Sequence, residues 1–217
     1  MLKIFVLGLG PTLMIFIGLS IGNSVPFTFL LFYSWLLVIP LIKKTKDGNW
    51  NELFQKNTID IKTVGIGLIS GLVMMIMVYG AFTLLFDTVI DVSSLQTLLE
   101  KWNFTGMEAI ILVVILLCIN PILEELYWRE YMYTRLKTRI GPTRAIILTA
   151  FLYSLYHLLT LIPMLHWPFD VLAVAPVFMA GILWGYFRAK LHSIIAPVIS
   201  HLLADVGIML TYLIHIL

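Results

Sequence analysis

Apolar residues fall in long blocks along this chain, each close to the roughly 20 residues a helix needs to cross a bilayer. The blocks cover about Ile4–Ile21, Phe27–Ile42, Val64–Phe86, Glu108–Lys137, Ala145–Leu161, Val171–Phe187 and Ile194–Leu217. This pattern predicts an all-α fold, a polytopic membrane helical bundle of about seven transmembrane helices in one membrane domain. Pro11 is the expected kink of the first span, and Asn23 to Pro26 reads as a turn. Between the second and third spans lies the longest polar stretch, Thr45–Lys62, with a short surface helix expected over Trp50–Gln55. Asp87–Met107 is polar and amphipathic and reads as a second interfacial loop. The fourth block is too long for one straight crossing. It must tilt, project or break, and Pro121 is the place to break, because it leaves the Leu117 carbonyl without its helical donor.

Composition agrees with the pattern. Of 217 residues, 60% are hydrophobic and 12% charged, whereas soluble domains run near 45–50% and about 25%. Cys118 is the single cysteine, which excludes an intrachain disulfide and any cysteine-rich metal site, and packing is its expected role. The first block follows only Lys3 and lacks a convincing small-residue cleavage site, so it reads as a retained span. The placement of charge is more informative than its sum. Of the 14 Lys and Arg residues, 12 fall at one side of this topology; Lys101 lies opposite and Arg129 lies inside a span. The basic side is the cytoplasmic one. The expected location is the cell membrane, with the N-terminus cytoplasmic and the C-terminus outside. Lipid is the expected surrounding, and no nucleic-acid partner is expected.

The polar residues inside the blocks carry the chemistry. Glu124, Glu125 and Arg129 sit within Glu124-Glu-Leu-Tyr-Trp-Arg129 in the fourth. Each such charge costs roughly 2.5–3.5 kcal/mol at a membrane helix centre on insertion scales, so three together form a functional-site hypothesis. Residues four apart share a helix face, so Arg129 pairs with Glu125 as a structural tether, while Glu124, turned by about 100°, stays available. His157 lies in the fifth block, and His201 and Asp205, four apart, lie in the seventh. Counting inward at about 1.5 Å per residue puts Glu124, His157 and His201 roughly 16, 20 and 16 Å from the nearest cytoplasmic basic residue. Three helices therefore bring these groups to one level, where each makes the others tolerable. His166, His192 and His215 fall at span ends and read as interfacial.

Such a cluster can hydrolyse an amide with water and no serine or cysteine nucleophile. Glu124 and His157 can take the proton of water and return it to the leaving amine, and His201 can donate to the tetrahedral oxyanion. Asp205, one turn on, can fix the His201 tautomer. A second version puts a divalent metal such as zinc among Glu124, His157, His201 and Asp205, although there is no His-Glu-x-x-His motif.

Read together, these residues resemble the CPBP (Abi) intramembrane proteases, which include the type 2 CAAX prenyl endopeptidases. Glu124, Glu125 and Arg129 match the family's Glu-Glu-x-x-x-Arg motif. Tyr153-Ser-Leu-Tyr-His157 answers Phe-x-x-x-His, Gly181-Ile-Leu-Trp-Gly185 is similar to its glycine-containing helix, and His201-Leu-Leu-Ala-Asp205 corresponds to His-x-x-x-Asn. The match covers about Leu112–Val206 and leaves the first three spans without a motif, which suggests accessory helices over 1–107 and a catalytic core over 108–217. The resemblance implies that Glu124 and His157 activate water, and that His201 with the residue at 205 holds the oxyanion. Two positions depart from it: tyrosine stands for phenylalanine at 153, and aspartate for asparagine at 205. An ionised Asp205 would repel an oxyanion, so an orienting role toward His201 is expected instead.

The expected function is an intramembrane endopeptidase acting on a membrane-associated peptide or protein. The rivals are a non-catalytic scaffold or bacteriocin self-immunity protein that keeps the fold, and a transporter or proton relay. A transporter should show inverted repeats, yet the buried polar residues are confined to the second half. Gly18-Leu-Ser20-Ile-Gly22 would suit a serine protease only with a matched histidine, and its glycines suit helix packing better.

Overall fold

The computed structural model describes residues 2–47 and 59–216, so the surface helix expected over Trp50–Gln55 lies outside the described residues. Helix α1 (Leu2–Ile15) continues as a π-helical stretch, Phe16–Ile21, and is followed by α2 (Val25–Asp47), α3 (Ile61–Val89) and α4 (Val92–Lys101). Then come α5 (Gly106–Cys118), α6 (Asn120–Glu125), a second π-helical stretch (Leu126–Met132) and α7 (Tyr133–Ile140). The chain closes with α8 (Pro142–Leu161), the short α9 (Phe169–Leu172), α10 (Val174–Leu191) and α11 (Ile195–His215). Among the described residues, seven segments are long and apolar enough to span a membrane: Lys3–Ile21, Val25–Ile42, Ile61–Val89, Gly106–Ile140, Pro142–Leu161, Phe169–Leu191 and Ile195–His215. The protein is a multi-pass, all-α membrane bundle, with spans close to those expected from hydropathy.

One expectation is corrected. Asp87–Met107 is not a loop throughout, because Val92–Lys101 forms α4. Asp91 caps it, accepting from the backbone of Ser93 at 3.0 Å and of Ser94 at 3.3 Å and from both hydroxyls. These hydrogen bonds hold the Asp91 carboxyl down at about 2. Leu95, Leu99 and Trp102 are buried, so the segment packs its apolar stripe against the bundle end. Three further contacts stitch that end together: Val25 N to Trp102 O, His166 N to Val89 O, and Gln96 Nε2 to Ile216 O.

The most extensive helix pair is α3 with α11, followed by α8 with α10. In a membrane, apolar side chains gain little by leaving lipid, so helices associate through close backbone approach. Gly67, Gly71 and Gly207 supply it here. A Cβ at Gly207 would stand 2.8 Å from the Met75 carbonyl oxygen, and one at Gly71 would stand 2.9 Å from Ser200 Cα. Gly141, at φ +82°, makes the left-handed turn between α7 and α8.

Gly207→Val should therefore force α3 from α11 and lower the thermal midpoint in detergent, at a cost on the order of 1–3 kcal/mol for overpacking. Gly65, with nothing within 4 Å of its added Cβ, is the control. Gly65→Ala should leave the midpoint unchanged or raise it, and equal losses from both would refute the close-approach account.

Candidate active site

The site is built where the fourth span breaks. Helix α5 stops at Cys118 and α6 starts at Asn120 with Pro121 in its first turn, as the proline requires. What hydropathy did not reveal is the π-helical stretch Leu126–Met132 directly after Glu125; such wide turns occur often at functional sites. The stretch is anchored on the first two spans. Tyr127, fully buried, donates its hydroxyl to Leu7 O at 2.6 Å and accepts from Trp35 Nε1 at 3.0 Å. Trp128, also fully buried, donates from Nε1 to the Tyr156 hydroxyl at 3.2 Å.

Glu125 and Arg129 pair as their spacing predicts, Oε1 to Nη1 at 3.1 Å, both buried. Arg129 does more than tether its own helix. Its Nη2 donates to Gly181 O at 3.3 Å, and its guanidinium lies 4.8 Å from the Tyr153 ring centroid and 5.2 Å from that of Trp184. It thereby joins three spans. Glu125 does more than neutralise Arg129, because the same Oε1 stands 3.0 Å from Nδ1 of His201. The expected holder of the His201 tautomer was Asp205; at Nδ1 that position belongs to Glu125. Trp184 stacks on the His201 ring at 4.2 Å and donates to Ser200 Oγ at 3.0 Å, which fixes the ring plane.

The other nitrogen of His201 faces the rest of the cluster. Nε2 lies 3.4 Å from the Tyr153 hydroxyl, 3.7 Å from Asp205 Oδ1 and 3.8 Å from Glu124 Oε2. Glu124 is buried, and its Oε2 has no hydrogen-bond partner among the described residues. Asp205 is held on its far side by Asn120, Nδ2 to Oδ2 at 3.4 Å. Glu124, Glu125, His201 and Asp205 thus meet in one place.

His157, expected to act on water together with Glu124, is fixed separately from the carboxylates. Its Nδ1 donates to its own helix, to Tyr153 O at 3.0 Å, and its ring packs on Tyr153 and Tyr156 at 4.6 and 4.5 Å. A carbonyl can only accept, so Nδ1 carries the proton and Nε2 keeps its lone pair. No ion pair joins His157 to Glu124 among the described residues; Tyr153 links the two histidines, through its carbonyl at one and its hydroxyl at the other.

The zinc alternative finds no support in this geometry. No three His, Cys, Asp or Glu side chains among the described residues are arranged to hold a metal ion.

Sequence reasoning missed three contributors. Asn120 and Tyr127 flank the acidic pair, but neither a lone amide nor a lone aromatic announces a partner on another helix. Arg188, counted among the cytoplasmic basic residues, is buried and gives Glu130 Oε2 two bonds, from Nη2 at 2.7 Å and from Nε at 3.1 Å. His192 and His215 stand at the C-terminal ends of α10 and α11 and His166 between α8 and α9, as expected of interfacial residues.

The family model for type II CAAX prenyl endopeptidase Rce1-like proteins matches residues 106–207. That stretch is thus similar to the family whose motifs Glu124, Glu125, Arg129, His157 and His201 resemble. The match begins at the first residue of α5 and ends two residues after Asp205, so every candidate site residue lies within it. The family is one of CAAX-protease-like membrane endopeptidases acting on protein or peptide substrates. No curated protein and no solved structure matches the chain.

Removing one partner of a buried pair strands the other, at about 3–5 kcal/mol. Arg129→Met should lower stability in detergent by about that much, whereas Arg129→Met with Glu125→Gln should be less damaging than the sum of the single changes. Additive losses would show that the pair is not coupled.

Proposed function

We propose that this protein hydrolyses a peptide bond of a membrane-associated peptide or protein, using water activated by Glu124 and His157. The observation that carries the proposal is the Glu124 carboxylate, buried in the stretch the family model matches, with one oxygen unpartnered and 3.8 Å from His201 Nε2. A buried anion is costly unless it is used or paired. Glu125 also has an unpartnered Oε2, but its charge is paired with Arg129 at 3.1 Å, whereas no Lys or Arg pairs with Glu124 among the described residues.

The steps assign one task to each group. Glu124 and the lone pair on His157 Nε2 are the two acceptors offered to the attacking water, and Glu124 takes its proton as the oxygen adds to the scissile carbonyl. Negative charge then develops on the carbonyl oxygen. His201, with Nδ1 committed to Glu125, donates from Nε2 when both its nitrogens carry protons. Glu124 returns the proton to the leaving amine as the tetrahedral intermediate collapses. Glu125 and Arg129 act as positioning residues, one orienting His201 and the other drawing the π-helical stretch toward Tyr153 and Gly181. Asp205 lies beside Nε2 with Asn120 behind it, and its orienting role is confined to that side of the ring.

The helices before residue 106 serve as a scaffold that presses on the catalytic stretch through Tyr127. The basic span ends support a topology in the cell membrane with the N-terminus in the cytoplasm and the C-terminus outside. Asp205 is the one feature that favours the second reading, a non-catalytic scaffold or self-immunity protein, because a carboxylate beside an oxyanion opposes catalysis.

Glu124→Ala and His157→Ala should each reduce cleavage by at least about 100-fold while membrane insertion and thermal midpoint stay near wild type. Quantitative proteomics of membranes from cells carrying wild-type or Glu124→Ala protein should reveal fragments that depend on Glu124 and so name the substrate. Identical fragment profiles would leave the scaffold reading standing.

A further inference from the structure

We infer that the Tyr153 hydroxyl is a catalytic oxyanion donor, working with His201 and supplying the hydrogen bond that Asp205 cannot. The inference rests on the hydrolase reading above and adds to it a residue that reading does not use. Three side chains other than the imidazole itself surround His201 Nε2: Tyr153 at 3.4 Å, Asp205 at 3.7 Å and Glu124 at 3.8 Å. Glu124 is occupied with the proton of water. An ionised Asp205 has only acceptors, and its outer oxygen is already facing the Asn120 amide. Tyr153 alone carries a standing O–H donor at that nitrogen.

Its placement suits the task. Tyr153 is buried, and His201 Nε2 is the only partner of its hydroxyl among the described residues. The ring cannot swing away, being packed edge-on against Trp128, Tyr156 and Trp184 with the Arg129 guanidinium over its face. A donor held before the charge develops needs no reorganisation during the reaction, which is the condition for strong oxyanion stabilisation. A substrate carbonyl oxygen entering between the hydroxyl and Nε2 would meet both donors at once. The geometry also joins the two departures from the family pattern. Tyrosine at 153 and aspartate at 205 lie at the same atom, so a hydroxyl gained from α8 answers an amide lost from α11.

The test uses full-length protein in detergent with an internally quenched, farnesylated CAAX-type peptide as probe. Tyr153→Phe should lower kcat by about 100-fold, the effect of deleting one oxyanion donor, with KM within about twofold. Adding Asp205→Asn to Tyr153→Phe should recover at least about tenfold of that loss, since it restores an amide donor at the same place. A Tyr153→Phe enzyme with near-wild-type kcat, or a double variant no faster than Tyr153→Phe, overturns the inference. If wild type and Glu124→Ala are equally inert on the probe, the hydrolase reading fails separately. The Tyr153–His201 contact is then read by 15N-histidine NMR, with the His201 signal assigned by its loss in His201→Asn. A His201 signal displaced in Tyr153→Phe supports the contact between the hydroxyl and Nε2, and one that does not move overturns the inference whatever the activity.

Discussion

Burying ionised groups in an apolar bundle is the constraint on which this structure turns. Glu124, Glu125, Arg129, His201 and Asp205 are all buried, and none could remain charged there alone. A single carboxylate oxygen, Glu125 Oε1, is the common point: it meets Arg129 at 3.1 Å and His201 at 3.0 Å. Through Arg129 it reaches the backbone of the sixth span at Gly181 and the aromatic face of the fifth at Tyr153. Through His201 it reaches the seventh. Four spans are therefore registered against one another by a network whose members cannot be removed singly without stranding a charge.

The same network separates stabilising from reactive groups. Arg129 has enough partners to compensate Glu125, and His201 has its outer nitrogen held by the same oxygen. Glu124, one residue earlier and rotated away, faces the opposite edge of the imidazole at 3.8 Å and is outside the Glu125–Arg129 pair. The two histidines are held by different means. His157 is locked by a carbonyl of its own helix, which leaves a lone pair on Nε2; His201 is locked by a carboxylate and by stacking on Trp184. Both partners accept from Nδ1, so a neutral ring at either place has its lone pair on Nε2, and His201 becomes a donor there only when both its nitrogens carry protons.

Local backbone departures set these positions. The break at Asn120–Pro121 turns the acidic pair into the bundle, and the π-helical stretch after Glu125 adds width where Tyr127, Trp128 and Arg129 must each reach a different helix. Tyr127 gives the first two spans their part in this, although no motif marks them: its bonds to Leu7 and Trp35 hold the wide turn against α1 and α2. Close packing elsewhere relies on glycine, as along α3 and α11.

Hydropathy by itself determined the spans, because block length and bilayer thickness admit few alternatives. Helical spacing determined the Glu125–Arg129 pair, since residues four apart meet whatever surrounds them. Depth counting put Glu124, His157 and His201 at one level, and proline chemistry placed the break. Only the tertiary structure decided which atom faces which. It gave Nδ1 of His201 to Glu125 rather than Asp205, set His157 on a carbonyl, brought Asn120 behind Asp205, and turned Arg188 from a surface charge into the partner of Glu130. Depth along a helix follows from counting residues, but direction around it depends on neighbouring helices, whose rotation is settled by packing across the whole bundle.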